Sequence, residues 1–204
     1  INTVYKVQME GLMRLKAMAK INLGLDVLGK REDGYHEVRM IMQTIRMYDI
    51  LDIRKTRRPG IVLTTNLPFI PTDQRNLVYK AAQMLMEEFD VEEGLSIKLR
   101  KFIPVAAGMA GGSSDAAAAF VGVNRMFHLG LIEEQLMERA VKVGADVPYC
   151  IMRGTALAEG IGEKLTRLPE VPKCYVLIGK PGINVSTKTA YENCLLYTSD
   201  AADE

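Results

Sequence analysis

Residues 104–120, PVAAGMAGGSSDAAAAF, place three glycines and two serines between a strand-like run and an alanine-rich run. A glycine-rich segment leading from a strand into a helix exposes successive backbone N–H groups where the helix dipole is positive. Glycine also lets a phosphate approach without interference from a Cβ. The chemistry this suits is phosphate binding. No Gly-Lys-Ser/Thr follows, so it is not a Walker A loop, and the GxGxxG order of a dinucleotide site is missing. Ser113 and Ser114 add hydroxyls of the kind that reach a phosphate or Mg²⁺, and Asp115 completes a set of helix-capping side chains. A flexible turn followed by an ordinary N-cap is the alternative, and the glycines alone leave both open.

Lys20 and Asn22 in AKIN form a second group. Phosphoryl transfer is catalysed mainly by positioning and charge neutralisation, and an ammonium fixed beside the nucleophile serves both. A lysine on the wet face of a strand is the alternative. Asp146 in VGADVPYC follows a helix-breaking glycine and precedes a proline, where a carboxylate could accept a proton from a hydroxyl. It could equally be a turn or cap aspartate. Tyr35 and His36 in DGYH combine an aromatic face with an imidazole edge, which suits a nucleobase, and DG is also a hairpin signal. His128 falls at a helix end and is expected to cap it. Asn76 has the type and place of an N-cap for the helix that follows.

The elements that must position these groups alternate irregularly, which predicts an α+β fold rather than a doubly wound parallel sheet. RLKAMAKINLGLDVLG and EVRMIMQTIRMYDILDIRKT read as strands joined by KREDGYH. The breaker RRPG separates them from a short strand, IVLTTN. NLVYKAAQMLMEEF sets Leu77, Ala81, Met84 and Leu85 on one helical face, and LSIKLRKFIPV alternates as a strand does. Helices are expected over SSDAAAAFVGVNRMFHLG, stopped by Gly130, and over EEQLMERAVKVG, stopped by Gly144. VPYCIMRGTALAEGIGEKLTRL is expected to form strands joined by glycine turns, CYVLIGKPG another strand, and STKTAYENCLLY the start of a helix. Met40, Met42, Met84 and Met86 read as core filler.

Composition narrows the function classes. A 204-residue chain with 48% hydrophobic and 25% charged residues can bury a core, and a net charge of +1 gives no broad footprint for nucleic acid. Any anion must be held by local geometry. Cys150, Cys174 and Cys194 lack CxxC spacing and nearby histidines, which argues against zinc and a disulfide framework and for a reducing cytoplasm. No stretch has the length and apolarity of a membrane span, and no signal-peptide order opens the chain.

PVAAGMAGGSSDAAA resembles the ATP-binding motif of the GHMP kinases, a family of small-molecule kinases acting on galactose, homoserine, mevalonate and phosphomevalonate. Its Gly-Gly-Ser-Ser-Asp-Ala-Ala form, with AKINLGLDVLGKREDGYHEV and GADVPYC in the same order, is similar to the branch that acts on CDP-methylerythritol in the non-mevalonate (MEP) pathway of isoprenoid biosynthesis. The resemblance spans Met13 to about Tyr191. It implies a GHMP kinase fold, with an N-terminal ATP-binding domain like ribosomal protein S5 domain 2. ATP and Mg²⁺ would be the cofactors and a small molecule the partner, with no nucleic acid or membrane. Lys20 and Asp146 fall where the family carries its catalytic pair. Pro104, Val105, Ala106, Ala107, Gly108, Met109, Ala110, Gly111, Gly112, Ser113 and Ser114 fall on the ATP loop. Asn76 and Lys101 fall on the nucleotide side, and Asn22, Tyr35, His36, Asp146, Thr187 and Tyr191 on the substrate side. Met109 and Ala110 replace the commoner Leu-Gly, and Ala110 is the costlier change wherever φ must be positive.

The resemblance also predicts how the chain divides. Residues 13–165 are expected to form the ATP-binding domain and 166–193 the start of a C-terminal domain. Residues 1–12 are expected to be a non-native upstream extension and 194–204 a foreign tail. Most of the C-terminal domain, with the family's second glycine motif, is expected to be missing. Other readings are a nucleotide-binding fragment without activity, a homoserine or mevalonate type of kinase, and an interaction module with a merely structural loop.

Overall fold

The structure is a computed structural model that describes residues 11–180 and Gly182. Strands β1 (Leu12–Lys30) and β2 (His36–Thr56) pair antiparallel from Leu12↔Arg54 to Lys30↔His36. The intervening turn is closed by local chemistry. Gly34 takes φ +85, Arg31 N–H donates to Tyr35 O at 2.8 Å, and Asp33 Oδ1 accepts from Tyr35 N–H at 3.1 Å.

The other edge of β2 is shared. Val38–Gln43 pairs with β5 (Thr155–Gly160), and Ile50–Thr56 pairs with β4 (Gly94–Arg100), both antiparallel. β3 (Ile61–Thr65) joins β4 in parallel, and β6 (Lys164–Arg167) closes the far edge against β5. The sheet order is β3-β4-β2-β5-β6, with β1 pairing β2 off that path. The interval 44–49 of β2 is thus left between two partner strands, and this gap is where the site develops.

Helices α1 (Leu77–Glu88), α2 (Gly111–Met126), α3 (Glu133–Ala140) and α4 (Val147–Met152) accompany the sheet. α2 lies on β1 and β2, and the contact is close because residue 122 is glycine. A Cβ there would stand 2.4 Å from Ile53 Cδ1 and 2.8 Å from Leu15 Cδ1. Around this contact Leu15, Leu51, Ile53, Phe120 and Val123 are buried in one core with Ile97 and Leu99 of β4. Burying each such side chain contributes about 1.5–3 kcal/mol.

Several expectations are corrected. The buried face of α1 is Val78, Ala81, Ala82, Leu85 and Met86, while Leu77 and Met84 are only partly covered. Met40, Met42 and Met86 do fill the core. Strand β4 ends at Arg100, because Lys101 to Ile103 turn away to bond Asp49. Residues 147–152 form α4 rather than a strand, with Pro148 in the first turn, where its missing N–H costs nothing. Ser113, Ser114 and Asp115 do not cap α2; Ala110 is its N-cap residue and makes no side-chain cap bond.

His128 does end α2, through its backbone. It takes φ +54 while Leu129 N–H reaches back to Asn124 O, so the helix stops at Met126, before Gly130. α3 likewise ends at Ala140, whose carbonyl receives the N–H of Gly144. The segment 174–180 is no strand, and it leaves Tyr175 and Leu177 exposed. β6 runs from Lys164 to Arg167. The expected helix over STKTAYENCLLY, Thr187 and Tyr191 included, lies outside the described residues, as do the first ten residues and the tail.

Candidate active site

The glycine loop leaves β4, turns, and enters α2. Ala106, Gly108 and Ala110 all take positive φ, at 54°, 69° and 53°. For Gly108 this is free, but each alanine meets the steric penalty of the left-handed region, about 1–2 kcal/mol. The tertiary setting holds both there. Backbone N–H of Lys20 donates to Met109 O at 3.2 Å, which ties the loop to β1, and Met109 packs with Ala19 and Ile103 in a small core of its own. The α2 N-terminus therefore opens onto a cavity of about 690 Å³ whose lining includes residues 104–113 of the loop. Gly112 is exposed to this space. The backbone amides here fit an anion.

Lys20 and Asn22 face the same cavity from β1, two residues apart and so on one side of the strand. The β1–β2 register shifts between Met18 and Lys20 and again between Asn22 and Gly24. Irregularities on both sides of this pair are the device that re-aims side chains near active sites. Lys20 is 5% exposed, and its ammonium needs partners at that depth. It donates to Asn22 Oδ1 at 3.0 Å and lies 3.6 Å from Asp146 Oδ2.

Asp146 is the N-cap residue of α4 but makes no side-chain cap bond, so its carboxylate is turned to the cavity rather than to its own helix. A cation and a partly exposed carboxylate thus meet at the cavity that the α2 N-terminus also lines. Behind them Tyr149 is buried and bridges Thr44 Oγ1 at 3.0 Å and Gly154 O at 2.7 Å, which ties α4 to β2. Burial pushes the Tyr149 hydroxyl above its ordinary range and the Cys150 thiol up to about 12, so neither ionises near neutrality.

The remaining predicted residues divide. Tyr35 lines the mouth of the cavity and is 61% exposed, as a stacking face requires, whereas His36 opens β2 opposite Lys30, outside the lining. Asn76 caps α1, accepting from Val78 N–H at 2.9 Å and donating to Pro71 O at 2.8 Å, so both its polar atoms are engaged. The Ser114 hydroxyl donates to Met18 O, while Ser113 lines the cavity. The Lys101 ammonium is held between Asp49 and Asp115. Sequence reasoning missed Asp49 as part of the site, and took Asp115 for a cap. The available signal was parity: Asp49 shares the inward face of β2 with Leu51 and Ile53, an odd place for an unpartnered acid. Arg75, also missed, stands at the cavity rim, gripped by Asp73 at 2.7 Å.

The α+β sheet, the glycine-loop helix end and the Lys20–Asp146 pair meet at one cavity. Residues 76–154 match the GHMP kinases N terminal domain. It is 58% identical over 180 residues to 4-diphosphocytidyl-2-C-methyl-D-erythritol kinase of Lachnospira eligens, covering 88% of this chain and 62% of the relative. The protein of the same name from Lachnoclostridium phytofermentans is 57% identical over 185 residues, 91% of this chain and 64% of the relative. The chain thus spans less than two thirds of the length of these relatives. A crystal structure of 4-(cytidine 5'-diphospho)-2C-methyl-D-erythritol kinase superposes with a TM-score of 0.67 at 35% identity, over 76% of this chain and 55% of that one. Homoserine kinase from Cytophaga hutchinsonii gives 0.68 at 19% identity, over 93% and 62%, a likeness of fold. No helix among the described residues is long and apolar enough to cross a membrane.

Proposed function

We propose that this chain catalyses ATP-dependent phosphorylation of the 2-hydroxyl of 4-diphosphocytidyl-2-C-methyl-D-erythritol, a step of the MEP route to isoprenoids, in the cytoplasm. The observation that carries this reading is the Lys20–Asp146 pair, 3.6 Å apart, facing the glycine loop across one cavity. The named relatives supply the substrate class.

Bound ATP with Mg²⁺ supplies the γ-phosphoryl group and part of the charge neutralisation. Among the described residues no group of three or more His, Cys, Asp and Glu stands ready for a metal, so the ion would rest on phosphates with the hydroxyl of Ser113. Ser114 is spent on Met18 and is not assigned to it. The N–H groups of the loop and of the first turn of α2 would hold the phosphates and stabilise the negative charge that builds up on ADP as it leaves. Asp146 takes the proton of the alcohol as its oxygen bonds to phosphorus, and Lys20 holds that oxygen in line and stabilises its developing charge. On the substrate side Asn22 steadies Lys20, Tyr35 offers its ring to the cytosine, and His36 beside it supplies edge hydrogen bonds. Thr187 and Tyr191 complete the proposed substrate contacts.

The test offers the protein γ-labelled ATP with equal concentrations of the CDP-alcohol, homoserine and mevalonate. Label in the CDP-alcohol alone is the expected result. Label in another alcohol reassigns the substrate, ATP binding without transfer leaves a nucleotide-binding chain, and absence of ATP binding makes the loop merely structural.

A further inference from the structure

Beneath the glycine loop lies a buried ionic group that the phosphoryl-transfer mechanism does not use. Asp49 of β2 is fully buried and has three donors on one carboxylate: Oδ1 accepts the backbone N–H groups of Phe102 and, at 2.8 Å, Ile103, and Oδ2 receives the Lys101 ammonium. The same ammonium donates to Asp115 Oδ2 at 2.6 Å in the opening turns of α2. Lys101 is also held by its backbone, with Asn66 Oδ1 accepting its N–H at 2.7 Å and Asn66 Nδ2 donating to its carbonyl at 3.1 Å.

Residues 101–103 and 115 bracket the loop on its two sides. The ionic group therefore closes the base of the loop, and it does so from the part of β2 that neither β4 nor β5 covers. The ammonium also sits directly under the helix end, since a Cβ on Gly111 would lie 3.2 Å from Lys101 Nζ.

We propose that Asp49, Lys101 and Asp115 form a clasp that fixes the geometry of the phosphate loop, with Asp49 as a positioning residue for nucleotide binding. This rests on the reading of the loop as a nucleotide site. Two carboxylates around one ammonium would leave a surplus negative charge behind an anion site. Asp115 relieves it: desolvation, with Asp49 adding to it, holds its carboxyl well above the usual carboxylate range, and its Oδ1 has no partner. The clasp approaches neutrality when that oxygen carries a proton. Its role is then to fix the loop's position rather than to attract the nucleotide. Lys101 and Asp115 also line the cavity, but with its ammonium committed to the two carboxylates Lys101 acts chiefly through the loop.

The test compares wild type, Asp49→Asn and the double variant D49N/K101M. The double variant removes the charges together, a change that buried ion pairs often tolerate with the fold intact. ATP and inorganic tripolyphosphate binding are measured by calorimetry, and amide exchange is followed residue by residue. A loop displaced by a fraction of an ångström should weaken both ligands about tenfold or more. Exchange should accelerate in residues 104–112 while α1 and the β1–β2 pair keep their protection. Unchanged affinity in both variants overturns the clasp, and so does exchange that rises throughout the sheet, which would mark a general role in stability. If wild type itself binds neither ligand, the nucleotide reading fails first and the proposal falls with it.

Discussion

Gly112→Ala separates what the fold needs from what the ligand needs. Gly112 is the second residue of α2, and a Cβ built there meets only Leu77 Cδ1 at 3.7 Å, an ordinary contact. The protein has room for the methyl, and exchanging glycine for alanine in a helix is favourable by up to about 1 kcal/mol, less in a first turn. Folding stability should therefore hold steady or rise slightly. Gly112 and its one neighbour Leu77 both line the cavity, so the methyl would add to that lining, where the proposed phosphate closes on the helix amides. Losing one charge-assisted hydrogen bond costs roughly 1.5–3 kcal/mol, so ATP affinity should fall about 10- to 150-fold. Gly111→Ala provides the contrast. Its Cβ would lie 3.2 Å from both Ile103 Cγ2 and Lys101 Nζ, groups held too firmly to move aside, so the strain of overpacking, about 1–3 kcal/mol, should appear as lost stability. Urea unfolding and ATP calorimetry on the two variants read both quantities. If Gly112→Ala bound ATP as tightly as wild type, the loop would not be a phosphate cradle.

Other predictions concern the frame around the site. Gly122→Ala should destabilise by about 1–3 kcal/mol through its clash with Ile53 and Leu15, and Ile53→Val should recover part of that loss; additive effects in denaturant melts would refute the contact. Asp115 sets a pH dependence. Its folded pKa is raised, so the native state holds a proton that the unfolded state has released, and its contribution to stability is lost as pH rises through the folded value. Asp52, lowered by hydrogen bonds from Arg14, behaves oppositely: its contribution is present above the ordinary carboxylate pKa and is lost as pH falls through the depressed value. Unfolding free energies across pH should thus show a decline, beginning as pH rises above the ordinary carboxylate pKa, that Asp115→Asn removes and Asp52→Asn leaves in place; superposable curves for wild type and Asp115→Asn would contradict it. Tyr149→Phe should lower the transfer rate more than it changes ATP affinity, because the hydroxyl ties Asp146's helix to Thr44, and equal losses in both would point elsewhere.

The β1–β2 hairpin was legible because alternation over some twenty residues and a single DG turn leave one arrangement. The helix at 77–88 was legible from its period, but its inward face was set by packing on α2, which buries Val78, Ala82 and Met86 beside the expected Ala81 and Leu85. VPYCIM failed because a six-residue apolar run has no period long enough to tell helix from strand, and the proline in the first turn was the better signal. Lys20, Asn22, Asp146 and the loop stand out in the sequence by residue type and spacing, and the cavity brings them together. What could not be foreseen was the cost met at Ala106 and Ala110 and the clasp beneath them. Asp49 and Lys101 are 52 residues apart, and only the folded sheet places the acid under the loop.

The central claim is that Lys20 and Asp146 carry phosphoryl transfer at this cavity. Transfer of label from ATP to the CDP-alcohol, measured for wild type, Lys20→Ala and Asp146→Ala alongside their ATP affinities, tests it most directly. Removal of the base is expected to cost about 10²–10⁴ in rate with ATP affinity retained, and removal of the lysine a comparable amount. Near-wild-type transfer by both variants would contradict the account.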